Sequence, residues 1–338
     1  MDKPFFPPEM TTLADTFGRV HSYLRVSVTE RCNLRCQYCM PEEGVPLLPH
    51  SEILSFEEIA TLVSWLASAG VRKVRITGGE PTVRKNLPDL FSMLNRIPGI
   101  ETLSMTTNGI LLADQLPELV KNGLKQINIS LDTLSPEKFK TITRRDGLDR
   151  VLNSIQKALD YPELEVKINA VAMAGVNDDE FADLVNFFKD MPVELRFIEF
   201  MPFSGNGWNR GGFISKADQM KLITTRFPLI HLGFNESGTG TANRYQVQGH
   251  PLKIGFIASM SENFCSTCSR IRLTAEGSFK SCLFENEELD LKTPLRAGIS
   301  KNDFLNLISD RIKEKKKQHG GMDGIASNPG RPMVAIGG

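Results

Sequence analysis

The sequence has no long apolar run and no excess of charge of one sign. No stretch approaches the ~18 consecutive apolar residues of a membrane span, so we expect no membrane partner. The 40 Lys and Arg residues balance 40 Asp and Glu residues, so the chain has no net positive charge that would attract nucleic acid. An anionic ligand must then be held by local charge. The opening MDKPFFPPEM also lacks the basic and apolar regions of a secretory signal, and we expect a cytoplasmic protein.

Histidine forms no metal-binding pattern, and cysteine is scarce. None of the five histidines stands in an H-x-x-x-H spacing, so we interpret them as surface or packing residues. The chain of 338 residues holds six cysteines, and they fall into two groups of three. In a cytoplasmic protein, grouped cysteines favour metal binding or catalysis over disulfide bonds.

Strand and helix patterns alternate through the first two thirds of the chain. Six predicted strands cover residues 24–28, 73–77, 102–106, 126–131, 166–172 and 194–200, with helical patterns between them. One helix opens with a capping box formed by Ser55 and Glu58. Short connections predict parallel strands with right-handed crossovers. Because six units are fewer than the eight of a complete barrel, the predicted fold class is α/β, an open partial (βα)6 TIM-type barrel with a C-terminal extension.

The predicted strands alternate apolar and polar residues. In the first strand Arg25 alternates with Leu24 and Val26, and later strands place Arg75 and Lys167 in the same way. Helices cover the outer face of such a barrel, so the polar set points into the lumen. A barrel lumen is usually filled with branched apolar residues, and a polar lumen predicts a ligand cavity. Buried ion pairs without a ligand are the alternative, although unpaired buried charges are unfavourable.

The last third of the chain has a different pattern. Residues 215–226 and 301–313 are predicted as helices, 253–259 and 278–283 as short strands, and 319–338 as an irregular segment rich in Gly and Pro. We interpret the charged run 313–317 as a solvated helix end. The predicted domains are a barrel over 1–200, a C-terminal region over 201–318 that covers the barrel mouth, and a tail over 319–338.

The first cysteine group, Cys32, Cys36 and Cys39, has a C-x3-C-x2-C spacing directly after the first predicted strand. A structural zinc site is closed by four ligands, whereas an iron–sulfur cubane with three cysteine ligands leaves one iron open. This spacing, with Tyr38 before the third cysteine, resembles the radical S-adenosylmethionine (SAM) superfamily. The resemblance implies a 4Fe-4S cluster whose open iron chelates SAM and whose electron cleaves it to methionine and a 5′-deoxyadenosyl radical.

A glycine pair fits the same resemblance. Gly78-Gly-Glu-Pro81 ends the second predicted strand and matches the GGE motif of the superfamily. Alone it is a weak signal, because paired glycines are commonly turns, but glycine also lets a backbone approach a ligand closely. The resemblance implies SAM contacts from Tyr38, Gly79, Ser130 and Met201. For Met201, core packing is an equally good interpretation.

The second cysteine group consists of Cys265, Cys268 and Cys282, and no second pair follows it. The chain resembles the GTP 3′,8-cyclase family of molybdenum cofactor biosynthesis. The resemblance rests on the two groups of three cysteines, on the terminal Gly-Gly and on the segments 198–202, 270–272 and 331–333. The resemblance covers nearly the whole chain. One departure is Ser269, where the family pattern has Asn. A residue beside the ligands can tune a cluster without holding it, so this departure leaves the resemblance intact.

The resemblance to this family implies two 4Fe-4S clusters, the second with an open iron that binds the guanine of GTP. It implies substrate contacts from Arg25, Arg75, Thr106, Lys167, Arg270, Ile271 and Arg272. Arg270 and Arg272 share a face of an extended segment, and guanidinium groups match phosphate oxygens. It also implies that the C-terminal tail enters the cavity and that Gly337 and Gly338 are catalytic, although a terminal Gly-Gly alone is typical of a frayed end.

The implied enzyme is a lyase that converts GTP into (8S)-3′,8-cyclo-7,8-dihydroguanosine 5′-triphosphate. The deoxyadenosyl radical abstracts the ribose 3′ hydrogen, the carbon radical attacks C8 of guanine, and the remaining radical is reduced and protonated. The implied partners are GTP, an external one-electron donor and a downstream cyclic pyranopterin-forming enzyme that receives the product; a homodimer is compatible with the sequence. Two alternatives stay open: another radical SAM enzyme with an auxiliary cluster, acting on a peptide, and a non-enzymatic zinc protein with two three-cysteine sites.

Overall fold

A single mixed sheet carries the fold. The computed structural model describes residues 12–234, 240–262 and 264–337. The strands within these ranges are β1 (Tyr23–Ser27), β2 (Lys73–Thr77), β3 (Thr102–Thr107), β4 (Leu124–Ser130), β5 (Glu165–Ala172), β6 (Glu194–Glu199), β7 (Leu229–Phe234), β8 (Asn243–Val247), β9 (Lys253–Ile257), β10 (Arg270–Leu273), β11 (Ser278–Lys280) and β12 (Leu289–Asp290). Their spatial order is β12-β11-β10-β1-β2-β3-β4-β5-β6-β9-β8-β7.

The centre of the sheet is parallel and its edges are antiparallel. The strands from β10 through β1–β6 to β9 all run parallel. Outside them, β11, β12, β8 and β7 pair antiparallel. In the described ranges β7 and β12 end the sheet without pairing to each other, so the sheet is open. The predicted open partial barrel is confirmed, and its six predicted strands correspond to β1–β6.

Helices complete the predicted alternation. They are α1 (Phe56–Ser68), α2 (Leu87–Asn95), α3 (Leu112–Lys121), α4 (Pro136–Thr143), α5 (Leu148–Leu159), α6 (Phe181–Phe188), α7 (Lys216–Thr224), α8 (Lys292–Arg296), α9 (Lys301–Lys313), α10 (Gly321–Ser327) and α11 (Met333–Ile336). The predicted capping box is present, because Ser55 Oγ accepts from the Glu58 amide and the Glu58 carboxylate accepts from the Ser55 amide. Leu24 and Val26 of β1 are fully buried in one core with Ile59 of α1, which leaves the polar face of β1 toward the lumen.

The C-terminal region extends the barrel sheet at both edges. β9 lies beside β6, and β10 lies beside β1. The predicted helices over 215–226 and 301–313 correspond to α7 and α9, and the predicted short strands to β9 and β11. The prediction of an irregular segment over 319–338 is wrong in part, since α10 and α11 form there. None of the helices in the described ranges has the length and apolar character needed to span a bilayer.

Candidate active site

Two adjoining cavities lie in the barrel lumen. The first cavity, about 1160 Å³, is lined by the first cysteine group and the GGE segment. The second cavity, about 1310 Å³, is lined by the second cysteine group and several basic side chains. Thr106, Asn169, Ile198, Met201 and Met333 line both cavities, so the two meet at these residues.

The two cysteine groups lie at opposite ends of the parallel strands. The first group follows the carboxyl end of β1, whereas Cys265 and Cys268 precede the amino end of β10. β10 runs parallel beside β1, with Arg270 opposite Tyr23. The C-terminal region therefore covers the end of the barrel at which the strands begin, and the first cysteine loop lies at the end at which they finish.

Burial governs the thiols of the first cysteine group. It raises the pKa of Cys32 to about 11 and raises the pKa values of Cys36 and Cys39 as well. Metal ligation requires thiolates, so a bound cationic centre would reverse this effect. In the described ranges, no three His, Cys, Asp or Glu side chains converge closely enough to hold one metal ion. All six cysteines are described, and none forms a disulfide. Three cysteine ligands fit a cluster in which each thiolate binds its own iron and one iron stays open, whereas a structural zinc site is closed by four ligands.

The GGE segment packs against the start of the first cysteine loop. The Gly79 amide donates to the Thr29 carbonyl oxygen at 2.6 Å, and the Glu80 amide donates to the Arg31 carbonyl oxygen at 2.8 Å. A Cβ at Gly79 would lie 2.4 Å from that Arg31 oxygen, and a Cβ at Gly78 would lie 2.6 Å from the Thr29 oxygen. These contacts leave no room for a side chain. The glycines are needed for loop packing, in addition to any close approach to a ligand.

Glu80 connects three loops of the first cavity. It is 1% exposed, and burial raises its pKa. Its carboxylate accepts from the Thr107 hydroxyl and from the Asn108 amide, each at 2.6 Å. Asn108 Nδ2 in turn donates to Asn33 Oδ1 at 2.7 Å and lies 3.8 Å from Cys32 Sγ. Glu80 was not among the predicted site residues, although its place in the GGE motif was a signal for a role.

The predicted SAM contacts all line the first cavity, with Tyr38, Gly79, Ser130 and Met201 among its wall residues. Tyr38 is held by Asp132, because its hydroxyl donates to Asp132 Oδ2 at 2.8 Å. Asp132 Oδ1 also accepts from the Val171 amide at 2.8 Å. Burial raises the pKa of Asp132 to about 6. The phenol therefore has a fixed orientation at the edge of the cysteine loop.

Strand register places five cations in two rows in the second cavity. The first row is Arg270, Tyr23 and Lys73, and the second row is Arg272, Arg25 and Arg75. In each row the three residues come, in this order, from β10, β1 and β2. All six side chains line the cavity, and neither row contains a carboxylate. Like charges directly opposite each other on neighbouring strands are destabilising. Such an arrangement favours a cavity built for a polyanion.

The pKa values of two residues in these rows, Arg272 and Tyr23, reflect the same concentration of positive charge. Burial, aided by the positive charge of Arg270, lowers the pKa of Arg272 to about 10. Burial alone would raise the pKa of Tyr23, but the surrounding cations, Arg75 first, outweigh it and lower the pKa to about 6. Arg75 Nε also donates to the Tyr23 hydroxyl. An anionic phenolate is thus favoured among these cations.

Most of the predicted substrate contacts come together in this cavity. Its wall includes Arg25, Arg75, Thr106, Lys167, Arg270 and Arg272. Ile271 does not join them, because it is fully buried in the hydrophobic core and lines neither cavity. Its predicted contact would have to be made by its backbone. Tyr23, Lys73 and Arg196 also line the cavity but were not among the predicted substrate contacts. Lys73 alternates with apolar neighbours on β2, so the period-two pattern already places it on the lumen face, and the same pattern on β6 indicates Arg196.

The second cysteine group lies among cations. Burial raises the pKa of Cys268, but Lys315 and Arg270 outweigh burial and lower it overall. Lys315 Nζ lies 3.6 Å from Cys268 Sγ. Lys315 is 4% exposed. The interpretation of 313–317 as a solvated helix end is therefore wrong for this residue, because its side chain turns inward to the cysteine.

The C-terminal tail lies inside the lumen. Met333 lines both cavities, and Val334 lines the first. Arg272 Nη1 donates to the Gly337 carbonyl oxygen at 2.6 Å. With a φ of +76° and with Thr77 Oγ1 only 2.7 Å from the place of a Cβ, position 337 accommodates glycine alone without a shift. Gly338 lies outside the described residues, so its predicted role is untested.

Two buried amides of the second cavity have an oxygen without a hydrogen bond in the described part of the chain. They are Asn128 Oδ1 and Asn169 Oδ1. Buried polar atoms are usually satisfied, and an exception in a cavity wall indicates a missing donor. Together with the cation rows, these acceptors indicate a ligand that carries both negative charge and N–H or O–H groups.

Two family models match the chain. The model described as Radical SAM superfamily matches residues 26–188, and the model described as Molybdenum Cofactor Synthesis C matches residues 193–321. The first covers β1 to α6 with the first cysteine group, and the second covers β6 to the start of α10 with the second cysteine group.

Curated relatives are similar over nearly the whole chain. The chain is 48% identical to the "GTP 3′,8-cyclase, mitochondrial" of Arabidopsis thaliana, across 98% of this chain and 85% of the relative. It is 45% identical to the "GTP 3′,8-cyclase" of Desulforamulus reducens, across 96% of this chain and 100% of the relative. It is 47% identical to "Molybdenum cofactor biosynthesis protein 1" of Mus musculus, of which it spans only 52%.

Among solved structures, the chain is similar to Streptococcus suis SuiB bound to S-adenosylmethionine. The TM-score is 0.62 over 88% of this chain and 69% of that chain, at 14% sequence identity. At that identity the similarity shows the shared fold alone.

Proposed function

The chain belongs to the GTP 3′,8-cyclase family of radical SAM enzymes, and on this premise we propose that it converts GTP into (8S)-3′,8-cyclo-7,8-dihydroguanosine 5′-triphosphate. The observation that carries the proposal is the pair of cation rows in a cavity that adjoins the first cysteine group. A triphosphate supplies the negative charge that these rows lack, and guanidinium groups bind its oxygens bidentately.

The first cavity is proposed to hold SAM. A 4Fe-4S cluster on Cys32, Cys36 and Cys39 would bind SAM and supply the 5′-deoxyadenosyl radical. Tyr38, Gly79, Ser130 and Met201 are the proposed SAM contacts, and Asp132 fixes the Tyr38 ring. Glu80 holds the loop around Asn108 against the cysteine loop, which keeps the wall of the cavity in place. The chain thereby orients SAM at the boundary with the second cavity.

The second cavity is proposed to hold GTP beside a second 4Fe-4S cluster on Cys265, Cys268 and Cys282. The cation rows bind the triphosphate, and the free oxygens of Asn128 and Asn169 accept hydrogen bonds from the nucleoside. Thr106 and Met201 lie where the cavities meet, so they border the place at which ribose and deoxyadenosyl group must approach. Such positioning supplies much of the rate in reactions of this kind.

The C-terminal tail is proposed to complete the cavity. The Met333 and Val334 side chains form part of its wall, and Gly337 packs against the last residues of β1 and β2, Ser27 and Thr77. A wall that is formed by buried apolar residues excludes water and oxygen from a reactive radical. The catalytic role of Gly337 and Gly338 is part of this proposal.

The partners beyond GTP are proposals as well. The reaction needs an external one-electron donor, and its product is handed to a downstream enzyme that forms the cyclic pyranopterin. A homodimer is a further proposal. The cytoplasmic location also stays a prediction, and the name of the Arabidopsis relative places that relative in the mitochondrion.

The two alternative functions receive less support. A peptide-modifying radical SAM enzyme needs a groove for a peptide, whereas the second cavity is lined by seven Lys and Arg side chains. A structural zinc site is closed by four ligands, whereas each cysteine group supplies three. Titration with GTP separates the proposed function from the first alternative, and analysis for iron and acid-labile sulfide separates it from the second.

The decisive test is an anaerobic incubation of the reconstituted protein with SAM, GTP and dithionite, analysed by mass spectrometry. We expect 5′-deoxyadenosine, methionine and a product with the mass of GTP that separates from GTP chromatographically, because the cyclisation is an isomerisation. A parallel incubation without SAM should leave GTP unchanged. Cleavage of SAM with GTP recovered intact would contradict the proposed function.

A further inference from the structure

A buried lysine lies behind the second cysteine group. Lys315 Nζ donates to Cys268 Sγ at 3.6 Å and to the Arg270 carbonyl oxygen at 3.0 Å. The adjacent Lys316 and Lys317 are exposed. Lys315 thus connects Cys268, a proposed cluster ligand, with Arg270 of the first cation row. Its ammonium group is buried, whereas those of Lys316 and Lys317 lie in solvent.

A network of hydrogen bonds fixes the segment that carries Lys315. The Arg19 guanidinium donates to the carbonyl oxygens of Cys265, Lys316 and Lys317 at 2.8 to 2.9 Å. Asp15 pairs with the same guanidinium, and both residues are 7% exposed. Arg19 therefore ties the segment around Lys315 to the second cysteine loop. A buried ion pair of this kind is unfavourable unless its remaining hydrogen bonds are made, and here they are.

We propose that Lys315 is a positioning residue for the second cluster. Its ammonium group holds the Cys268 sulfur in a fixed position relative to the Arg270 backbone, and its charge stabilises the reduced form of the cluster. The inference rests on the proposed function, because it requires a cluster on the second cysteine group. It concerns how that cluster is held and how its reduction potential is set, and it assigns a function to a lysine that lines neither cavity but contacts two wall residues of the second one.

The direction of the effect follows from charge. Three thiolate ligands give the cluster a net negative charge, and reduction adds one more negative charge. A cation at hydrogen-bond distance from a ligand sulfur stabilises the more negative state more strongly, so it raises the reduction potential. Removing the cation should shift the potential to more negative values.

The test is a redox titration of the second cluster alone. In the full chain, Cys32, Cys36 and Cys39 are replaced by Ala so that only the second cluster contributes to the electron paramagnetic resonance signal. Lys315→Met is compared with the unchanged Lys315 protein in this background. We expect the ratio of reduced to oxidised cluster at a fixed potential to fall roughly tenfold, a shift of about 59 mV for one electron.

Two further variants separate charge from packing. Lys315→Arg keeps the charge and should restore a potential close to that of the unchanged protein. Lys317→Met removes an exposed lysine next to the network, whose backbone carbonyl still accepts from Arg19, and should change nothing. If Lys315→Met loses the cluster while Lys315→Arg retains it, the positioning role is supported by iron content as well.

Three outcomes would contradict the proposed role of Lys315. Equal potentials and equal iron content in Lys315→Met and Lys317→Met would overturn the inference and leave the proposed function untouched. Loss of the cluster in Lys315→Arg as well as Lys315→Met would assign Lys315 to packing alone. No cluster in the background protein with Lys315 intact would contradict the two-cluster proposal and this inference together.

Discussion

The two cysteine groups differ in the charge that surrounds them. Near the first group lie the buried carboxyl groups of Glu80 and Asp132, and burial raises the pKa of all three thiols. Near the second group lie Lys315 and Arg270, which lower the pKa of Cys268. The first site is suited to a ligand that is recognised by close backbone packing, and the second to a polyanion that is recognised by charge.

Removal of the first cysteine group should separate the two sites most sharply. In the Cys32→Ala, Cys36→Ala, Cys39→Ala variant we expect turnover to be lost and iron to fall from about eight to about four per chain, because each cluster holds four irons. GTP binding should persist, since the cation rows are intact. Iron analysis and a GTP titration check this, and a variant with all of its iron, or with none, would contradict independent sites.

Gly337→Ala should disturb the lumen between the two sites. The added Cβ meets Thr77 Oγ1 at 2.7 Å, and a displacement of about 1 Å can reduce a rate about a hundredfold. We expect that loss in cyclised product, with iron content retained and SAM still cleaved to deoxyadenosine. Gly298→Ala is the matched control, because Gly298 has a similar φ of +80° but nothing within 4 Å of a Cβ. Equal turnover in both variants would remove the tail from catalysis.

Arg270→Ala or Arg272→Ala should weaken the second site and leave the first intact. Loss of a hydrogen bond to a charged group costs about 1.5–3 kcal/mol, which corresponds to a tenfold to hundredfold loss of GTP affinity. SAM binding should be unchanged. Arg226→Ala serves as the control, because Arg226 is half exposed and lines neither cavity. GTP affinity that resembles the control in both variants would show that the rows do not bind the triphosphate.

Tyr23→Phe is expected to act on stability, and its effect depends on pH. The pKa of Tyr23 is about 6 in the fold, whereas an unfolded tyrosine titrates near ~10. Between these values the unfolded state binds more protons, so the phenolate contributes stability that grows as the pH rises and vanishes below about pH 6. The difference in Tm between wild type and Tyr23→Phe should therefore widen from pH 6 to pH 9. A constant difference would show that the phenol stays neutral.

The sequence was sufficient for the parts of the molecule that repeat a local pattern. Period-two alternation identified the six barrel strands and pointed Arg25, Arg75 and Lys167 into the lumen. The capping box located the start of α1. These features depend on residues that are neighbours along the chain, so one sequence contains the information.

Features that depend on distant segments could not be predicted in this way. The inward turn of Lys315 depends on Arg19 and Cys268, which are far away in sequence. The short helices α10 and α11 form where the tail packs in the barrel, although Gly and Pro content favours irregular structure there. The pairing of β10 with β1 brings together segments that are separated by more than 240 residues. Local propensity contains no signal for such contacts.

That pairing also sets a length scale. The first cysteine group begins beyond the carboxyl end of β1, and Cys268 of the second group lies just before the amino end of the parallel β10. Five residues of strand at about 3.3 Å each separate these ends by roughly 16 Å. The number of residues in a strand of the barrel wall thus sets the distance between the two proposed cluster sites. A ligand shorter than this span cannot engage both ends at once, so the strand length fits the proposed arrangement in which SAM lies at one end of the lumen and GTP at the other.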